Sequence, residues 1–254
     1  MYDPLAKYYE EIFPVSRAQV EFIASSVVPA VSGTPMRLLD VGCAVGDLAS
    51  ALNEKGLEVD GIDLNPMMIR RARERHVKRT VKGGLRFFEM DMLEIDRVFE
   101  AHCFDVLVCL GNTLVHLPGR REIEGFLSSA STLLRGGQTP GKGGTLVLQI
   151  LNYDFLLTRR PESLPGIETE NVLFERRYLY PNAPDGSITF MTRLTIKESE
   201  EVFEDSLDLY PLGRGELEEL LSIGGYKDVK FYGDFDGSPL MQDSLPLIVV
   251  ASSA

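Results

Sequence analysis

Apolar residues recur along this chain with two alternating periods. Short, nearly continuous apolar runs at residues 36–41, 58–63, 85–90, 104–110 and 145–150 read as buried strands. Between them, at 47–55, 66–78 and 121–134, apolar residues fall three and four apart, the spacing of amphipathic helices. Pro66 stands at a helix start, where its missing N–H costs nothing. Gly136 stops the helix that carries Ile123, Phe126, Leu127, Ala130, Leu133 and Leu134 on one face. The first thirty residues also read as helical, with a Ser16/Gln19 capping box ahead of Val20, Ile23, Ala24 and Val27. With two later strands at 226–232 and 246–251 and a helix at 214–223, this order predicts an α/β fold. The expected core is a doubly wound, mostly parallel seven-stranded sheet with right-handed crossovers.

One stretch breaks the alternation. Residues 171–180, 187–196 and 202–210 are three strand-like runs in succession, rich in Val, Thr, Phe and Tyr, separated by a turn at 181–186 and an acidic turn at 197–201. They predict a small antiparallel β insert of three strands. The organisation expected is a helical segment at 1–34, an α/β domain at 35–167 and 211–254, and the insert at 168–210. Residues 136–144 form a Gly/Pro-rich loop to which no function is given.

The chemistry gathers where the first two strands end. Asp40-Val41-Gly42-Cys43-Ala44-Val45-Gly46-Asp47 is a tight Gly/Ala turn, and the second strand ends in Asp63. That layout sets backbone N–H groups and an acid around one small, nucleoside-containing ligand at the carboxyl ends of neighbouring parallel strands. A dinucleotide fingerprint would need glycine at both Ala44 and Asp47, and an acid at Asp47 repels a pyrophosphate. A nicotinamide oxidoreductase is therefore disfavoured.

Composition trims the remaining choices. The net charge of −12, from 26 basic and 38 acidic residues, argues against a dedicated nucleic-acid binder. Cys43, Cys103 and Cys109 have neither zinc spacing nor a disulfide pattern, so no metal is expected. The N-terminus lacks the basic start and apolar run of a signal peptide, and no apolar run is long enough to span a membrane. A cytoplasmic protein is expected; a homo-oligomer is left open.

The pattern Asp40-x-Gly42-x-Ala44-x-Gly46 followed by Asp63 resembles the first motifs of class I S-adenosylmethionine (SAM) dependent methyltransferases, with Ala44 in place of the middle glycine. The resemblance implies the Rossmann-like methyltransferase fold, SAM as cofactor and S-adenosylhomocysteine as product. It implies that Asp40 fixes the turn and Gly42 lets the methionine part approach. Cys43, Ala44 and Gly46 would contribute backbone. Asp63, beside Leu64, would accept the ribose hydroxyls, unless it serves only as a helix cap ahead of Pro66. Asp91 would bond the adenine amino group and Met92 would pack on the ring, against a solvated loop acid as the alternative.

The segment Leu110-Gly111-Asn112-Thr113, with Asn152-Tyr153-Asp154, is similar to the glycine/sarcosine N-methyltransferase branch, which also carries a β-insert. The likeness covers about residues 36–155 by motif and implies that Asn112 and Tyr153 fall on the substrate side; with Leu110 and the N-terminal tyrosines, Tyr9 among them as a catalytic candidate, they would line the methyl side. The arginine that receives the amino acid's carboxylate in that branch is replaced here by Leu151, so glycine is not carried over. Arg176, Arg177 or Arg193 of the insert could replace it. His116 is read either as a substrate contact or as a structural loop histidine. The opening Tyr2-Asp3-x-x-Ala6-x-x-Tyr9 is also similar to the family's, and Tyr2, Tyr8 and Tyr9 belong either to a lid or to an anchor for the first helix. The function expected is methyl transfer to a nitrogen or oxygen of a small metabolite, with the insert capping the site. Two alternatives use the same cofactor pocket: a carboxy-SAM synthase, which needs an arginine that Leu151 does not supply, and a silent SAM-binding regulator.

Overall fold

A computed structural model of the chain describes residues 2–26, 35–76, 84–136, 143–181 and 186–253. The helices are α1 (Tyr2–Ile12), α2 (Arg17–Ser26), α3 (Asp47–Glu54), α4 (Pro66–His76), α5 (Ile95–Val98), α6 (Arg120–Leu133), α7 (Tyr153–Arg159) and α8 (Arg214–Ile223). The strands are β1 (Arg37–Val41), β2 (Glu58–Asp63), β3 (Leu85–Glu89), β4 (Val106–Cys109), β5 (Thr145–Leu151), β6 (Ser163–Glu168), β7 (Val172–Leu179), β8 (Ile188–Ile196), β9 (Val202–Leu209), β10 (Lys227–Tyr232) and β11 (Pro246–Ser252). Val27, Lys78, most of the 136–144 loop and most of the 181–186 turn lie outside the described residues.

Seven strands form the main sheet in the order β10-β11-β5-β4-β1-β2-β3. Strands β1 to β5 are mutually parallel, while β11 runs antiparallel to both β5 and β10. Strand alternation sorts the sheet's side chains between two cores. Leu39, Val41, Leu107, Leu146 and Leu148 face α6 and α8, whereas Leu38, Val59, Val106, Val108 and Val147 face α2 and α3. The strand order reverses between β1 and β4, and there the loops leave in opposite directions and open a crevice.

The Ser16/Gln19 box forms as expected. The Ser16 N–H donates to Gln19 Oε1 (2.8 Å) and the Gln19 N–H to Ser16 Oγ (3.1 Å), which satisfies two donors at the start of α2. Gly46 sits at φ +82° at the N-terminus of α3. A Cβ there would lie 2.6 Å from the Phe87 ring and 3.0 Å from Ala72, so glycine allows α3 to close against β3 and α4.

The second sheet differs from expectation in one strand. It has four, in the order β6-β7-β8-β9, all antiparallel. The additional β6 contains Pro165-Gly166, is largely exposed, and shifts register between Leu164 and Ile167. Proline and glycine hide a strand from propensity, yet an edge strand tolerates both at a bulge. A third core joins this sheet to the main one: Leu5, Tyr8 and Ile12 of α1 pack with Val45, Met68, Phe174 and Leu194. Among the described residues no helix is long and apolar enough to cross a membrane.

Gly46→Ala should destabilise the protein by roughly 2–4 kcal/mol, from left-handed backbone plus overpacking. Gly56→Ala, at φ +96° with open space around it, should lose only about 1–2 kcal/mol. Urea unfolding of both variants checks the difference, and equal losses would remove the packing argument.

Candidate functional site

A cleft of about 430 Å³ opens at the β1/β4 switch point, within the range of small-molecule sites. Its floor is the turn after β1 (Gly42 to Val45) and the loop after β4 (Leu110 to Asn112), with Asp40, Gln149 and Leu151 from the strand ends. Its roof is the inner face of the second sheet, and Leu5, Tyr9 and Phe13 of the N-terminal segment close one side.

The turn uses its amides internally. Gly42 and Cys43 both donate to the Ile62 carbonyl (2.8 and 2.9 Å), Ala44 to Asp63 Oδ2 (2.9 Å), and Gly46 to the Cys43 carbonyl (2.9 Å). The N–H groups expected to surround the ligand are thus taken up in joining β1 to β2. A turn with its amides so engaged cannot cradle a pyrophosphate. Asp63, not Asp40, fixes the turn, and its other oxygen accepts from the Asn65 N–H at 2.8 Å. The helix-cap role open to Asp63 belongs to Asn65, whose Oδ1 accepts from Met67 and Met68 at 2.8 and 3.2 Å. Burial raises the pKa of Asp63, and its two amide bonds oppose the rise. Gly42 is required by its neighbour as well as by its φ of +74°: a Cβ would fall 2.5 Å from Thr113 Cγ2.

Asp40 is the unusual group. It lines the cleft, is 2% exposed, and its Oδ2 has no hydrogen-bond partner among the described residues. Burial and then the neighbouring charge of Asp63 push its pKa up to about 7. A buried carboxylate without a partner is costly unless something cationic meets it. Asp47 also lines the cleft and is tied away by Arg75, whose guanidinium reaches both of its oxygens at 3.0 and 3.2 Å.

On the other side of the floor, Asn112 takes a left-handed φ of +67°. Its Oδ1 accepts from the Leu151 N–H (2.9 Å), and its Nδ2 donates to the Tyr153 hydroxyl at 3.1 Å. Tyr153 is fully buried and does not line the cleft; it stands behind Asn112 and braces the amide. Its neighbours have structural partners too. Asn152 caps α7 by accepting from the Phe155 N–H (3.3 Å), and Asp154 accepts from the Arg214 N–H (3.0 Å). His116 lines the cleft, and burial lowers its pKa, which keeps the ring neutral near pH 7.

The structure therefore brings Asp40, Gly42, Cys43, Ala44, Leu110, Asn112, Tyr9 and His116 together in one cleft. Tyr8 is buried in the α1 core instead, and of the Tyr2 side chain nothing is described. Gly46 lies outside the lining, under α3. Asp63, Leu64, Asp91 and Met92 also lie outside it, at the ends of β2 and β3, the next strands outward from β1. Asp91 accepts from the Leu93 N–H at 2.9 Å, and Leu64 is 68% exposed. Among the three insert arginines, Arg176 lines the cleft, Arg177 is exposed, and Arg193 is drawn to Glu175 and Glu204 on the outer surface. Sequence reasoning missed Gln149, Phe174, Tyr178, Phe190, Thr192 and Asp205. Period-two spacing at 174/176/178 and 190/192 was the available signal, but it does not say which face turns inward. Among the described residues no group of three or more His, Cys, Asp or Glu side chains could hold a metal.

Comparison with known proteins agrees with this geometry. A family model described as "Methyltransferase domain" matches residues 38–137. The chain is 26% identical over 204 residues to a glycine/sarcosine N-methyltransferase of Aphanothece halophytica, covering 78% of this chain and 69% of that one. It is 30% identical over 134 residues to a ubiquinone biosynthesis O-methyltransferase of Xanthomonas campestris pv. campestris, covering 53% and 49%. Of further relatives, named as glycine and glycine/sarcosine/dimethylglycine N-methyltransferases, it spans less than half the length. A SAM-dependent methyltransferase structure from Clostridium acetobutylicum superposes with a TM-score of 0.77 over 99% of this chain and 98% of that one. At 15% identity that likeness is one of fold.

Asp40→Asn isolates the buried carboxyl. Because its folded pKa is raised above the unfolded value near 3.9, the proton is held more tightly in the folded state. The associated stability is complete below about pH 4 and is lost as pH rises through about 7. The melting temperature of ligand-free wild type should therefore fall relative to Asp40→Asn by about 5 °C between pH 5 and pH 8. A difference that does not change with pH would show that Asp40 is not held this way.

Proposed function

We propose that the chain is a class I SAM-dependent methyltransferase that methylates a nitrogen or oxygen of a small metabolite held between the main sheet and the second sheet. The observation that carries this reading is the two-sidedness of the cleft. One wall offers a buried carboxylate whose Oδ2 has no partner among the described residues and a turn whose Gly42, Cys43, Ala44 and Gly46 amides are already engaged, and the opposite wall offers an aromatic and polar roof.

The cofactor side suits SAM. Asp40 would hold its ammonium, in its ionised form. Asp63, whose oxygens each keep a lone pair beyond the one given to Ala44 or Asn65, would hold its ribose. Asp91 and Met92, beyond the end of β3, would hold its adenine. When bound, SAM would supply an electrophilic methyl group for transfer to the acceptor's lone pair, with S-adenosylhomocysteine as the leaving product.

The remaining work falls to the chain's own residues, and it is mainly positioning and exclusion of water. Asn112, braced by Tyr153 and the Leu151 N–H, presents its amide at the end of β4 as a fixed polar contact for the acceptor. Tyr9 and Phe13, in ring contact at 5.1 Å, close the N-terminal side, and the second sheet caps the top. His116 is the neutral base within the cleft and takes the proton that the methylated atom releases.

Asp63→Asn should weaken SAM binding about 10- to 100-fold by calorimetric titration, the loss expected when hydrogen bonds to a charge become neutral ones. Unchanged affinity would remove its ribose role. Tyr153→Phe should lower turnover more than SAM affinity, because the brace behind Asn112 is lost while the cofactor wall is intact. Assays of methyl transfer from labelled SAM to a panel of small amines, phenols and carboxylates provide the readout, and equal loss of both quantities would move the acceptor site elsewhere.

A further inference from the structure

The roof of the cleft is ordered in rows, because residues facing each other across an antiparallel sheet share one face. Leu164, Arg176, Thr192 and Asp205 are register partners across β6 to β9, and all four line the cleft. The next row, Tyr178, Phe190 and Leu207, lines it too and is apolar and aromatic. Within the polar row Arg176 stands apart. Among the described residues no other lysine or arginine lines the cleft, against three aspartates.

Those aspartates do not neutralise it. Asp40 belongs to the floor of the cleft, Asp47 is bound to Arg75, and Asp205 Oδ1 accepts from the Ser206 N–H at 2.9 Å. Arg176 Nη2 donates to the Pro165 carbonyl (2.8 Å) at the β6 bulge, while its buried Nε–H has no acceptor among the described residues. Burial lowers its pKa, as expected of a guanidinium that loses hydration. An arginine kept half-buried, in a ligand cleft, with a donor unspent, fits a planar oxyanion in bidentate geometry.

We propose that Arg176 is the anion-binding, specificity-determining residue for the methyl acceptor. The acceptor is then an apolar or aromatic molecule carrying a carboxylate or phosphate, its anionic group on Arg176 and its body along Tyr178, Phe190 and Leu207. This rests on reading the cleft as a methyl-transfer site. A bare amino acid such as glycine would leave the aromatic row uncovered.

The test is calorimetric titration of benzoate, phenyl phosphate and benzamide into SAM-loaded wild type, Arg176→Gln and Arg176→Lys. Glutamine can still donate to the Pro165 carbonyl, so it removes the charge and spares the bulge, and an unchanged melting temperature verifies that. An anion should bind wild type at least tenfold more tightly than benzamide. Arg176→Gln should weaken the anion about 10- to 100-fold without changing benzamide, and Arg176→Lys should fall between. A preference for benzoate identifies a carboxylate, and one for phenyl phosphate identifies a phosphate. Benzamide binding as tightly as the anions, an unaffected glutamine variant, or no anion binding to wild type would each overturn the proposal. SAM titrated alone into wild type and Arg176→Gln keeps the two readings apart. Failure of SAM to bind wild type counts against the methyl-transfer site itself, whereas equal SAM affinity in both proteins confines any change to the acceptor side.

Discussion

Three amides tie the end of β1 to the end of β2, and much of the site follows from that tie. Gly42 and Cys43 donate to the Ile62 carbonyl, and Ala44 donates to the Asp63 carboxylate. The turn can be this tight because Gly42, Ala44 and Gly46 all take positive φ. Its closure leaves no unspent amide at those positions to receive a phosphate. It also leaves Asp40 beneath the turn without a donor from it, a buried carboxylate facing the cleft. The same covalent layout, a glycine-rich turn after the first strand, serves phosphate binding elsewhere because the amides point outward. Here they point inward, and the ligand that fits is cationic.

The second sheet completes the site from the other side. It is fastened to the main sheet through α1, whose Leu5, Tyr8 and Ile12 share a core with Phe174 and Leu194. Alternate residues of β7 to β9 then fall over the cleft without further device, since a strand turns every second side chain to one face. In the proposed reading, function is divided between a cofactor wall set by parallel-strand geometry and an acceptor wall set by an antiparallel insert. Insert residues can change without disturbing the turn, and the similar proteins carry names as different as glycine/sarcosine N-methyltransferase and ubiquinone biosynthesis O-methyltransferase.

The main sheet was legible because its strands are continuous apolar runs and its helices are periodic, and local patterns of that kind survive folding. The Asp40–Asp63 spacing placed the ends of two paired parallel strands for the same reason. Three things were not legible. Strand β6 hides behind Pro165-Gly166, residues that argue against a strand anywhere but at an edge. The inward face of β7 depends on which side the sheet docks, a tertiary choice that period-two alternation leaves open. The partners of Asn112, Tyr153 and Asp154 are set by long-range contacts. Tyr153 accordingly emerges as a buried brace, where its motif suggested a residue at the methyl side.

Proton linkage tests the central claim, that the cleft recognises a cation through Asp40, most directly. SAM is titrated into the protein at pH 6 in buffers of different ionisation enthalpy, which reports protons exchanged on binding. With the Asp40 pKa near 7 before SAM binds, the carboxyl is mostly protonated at that pH and must ionise to meet the ammonium. The account predicts release of close to one proton per SAM bound, abolished in Asp40→Asn. Binding with no proton release, or tight binding of NAD in place of SAM, would contradict it.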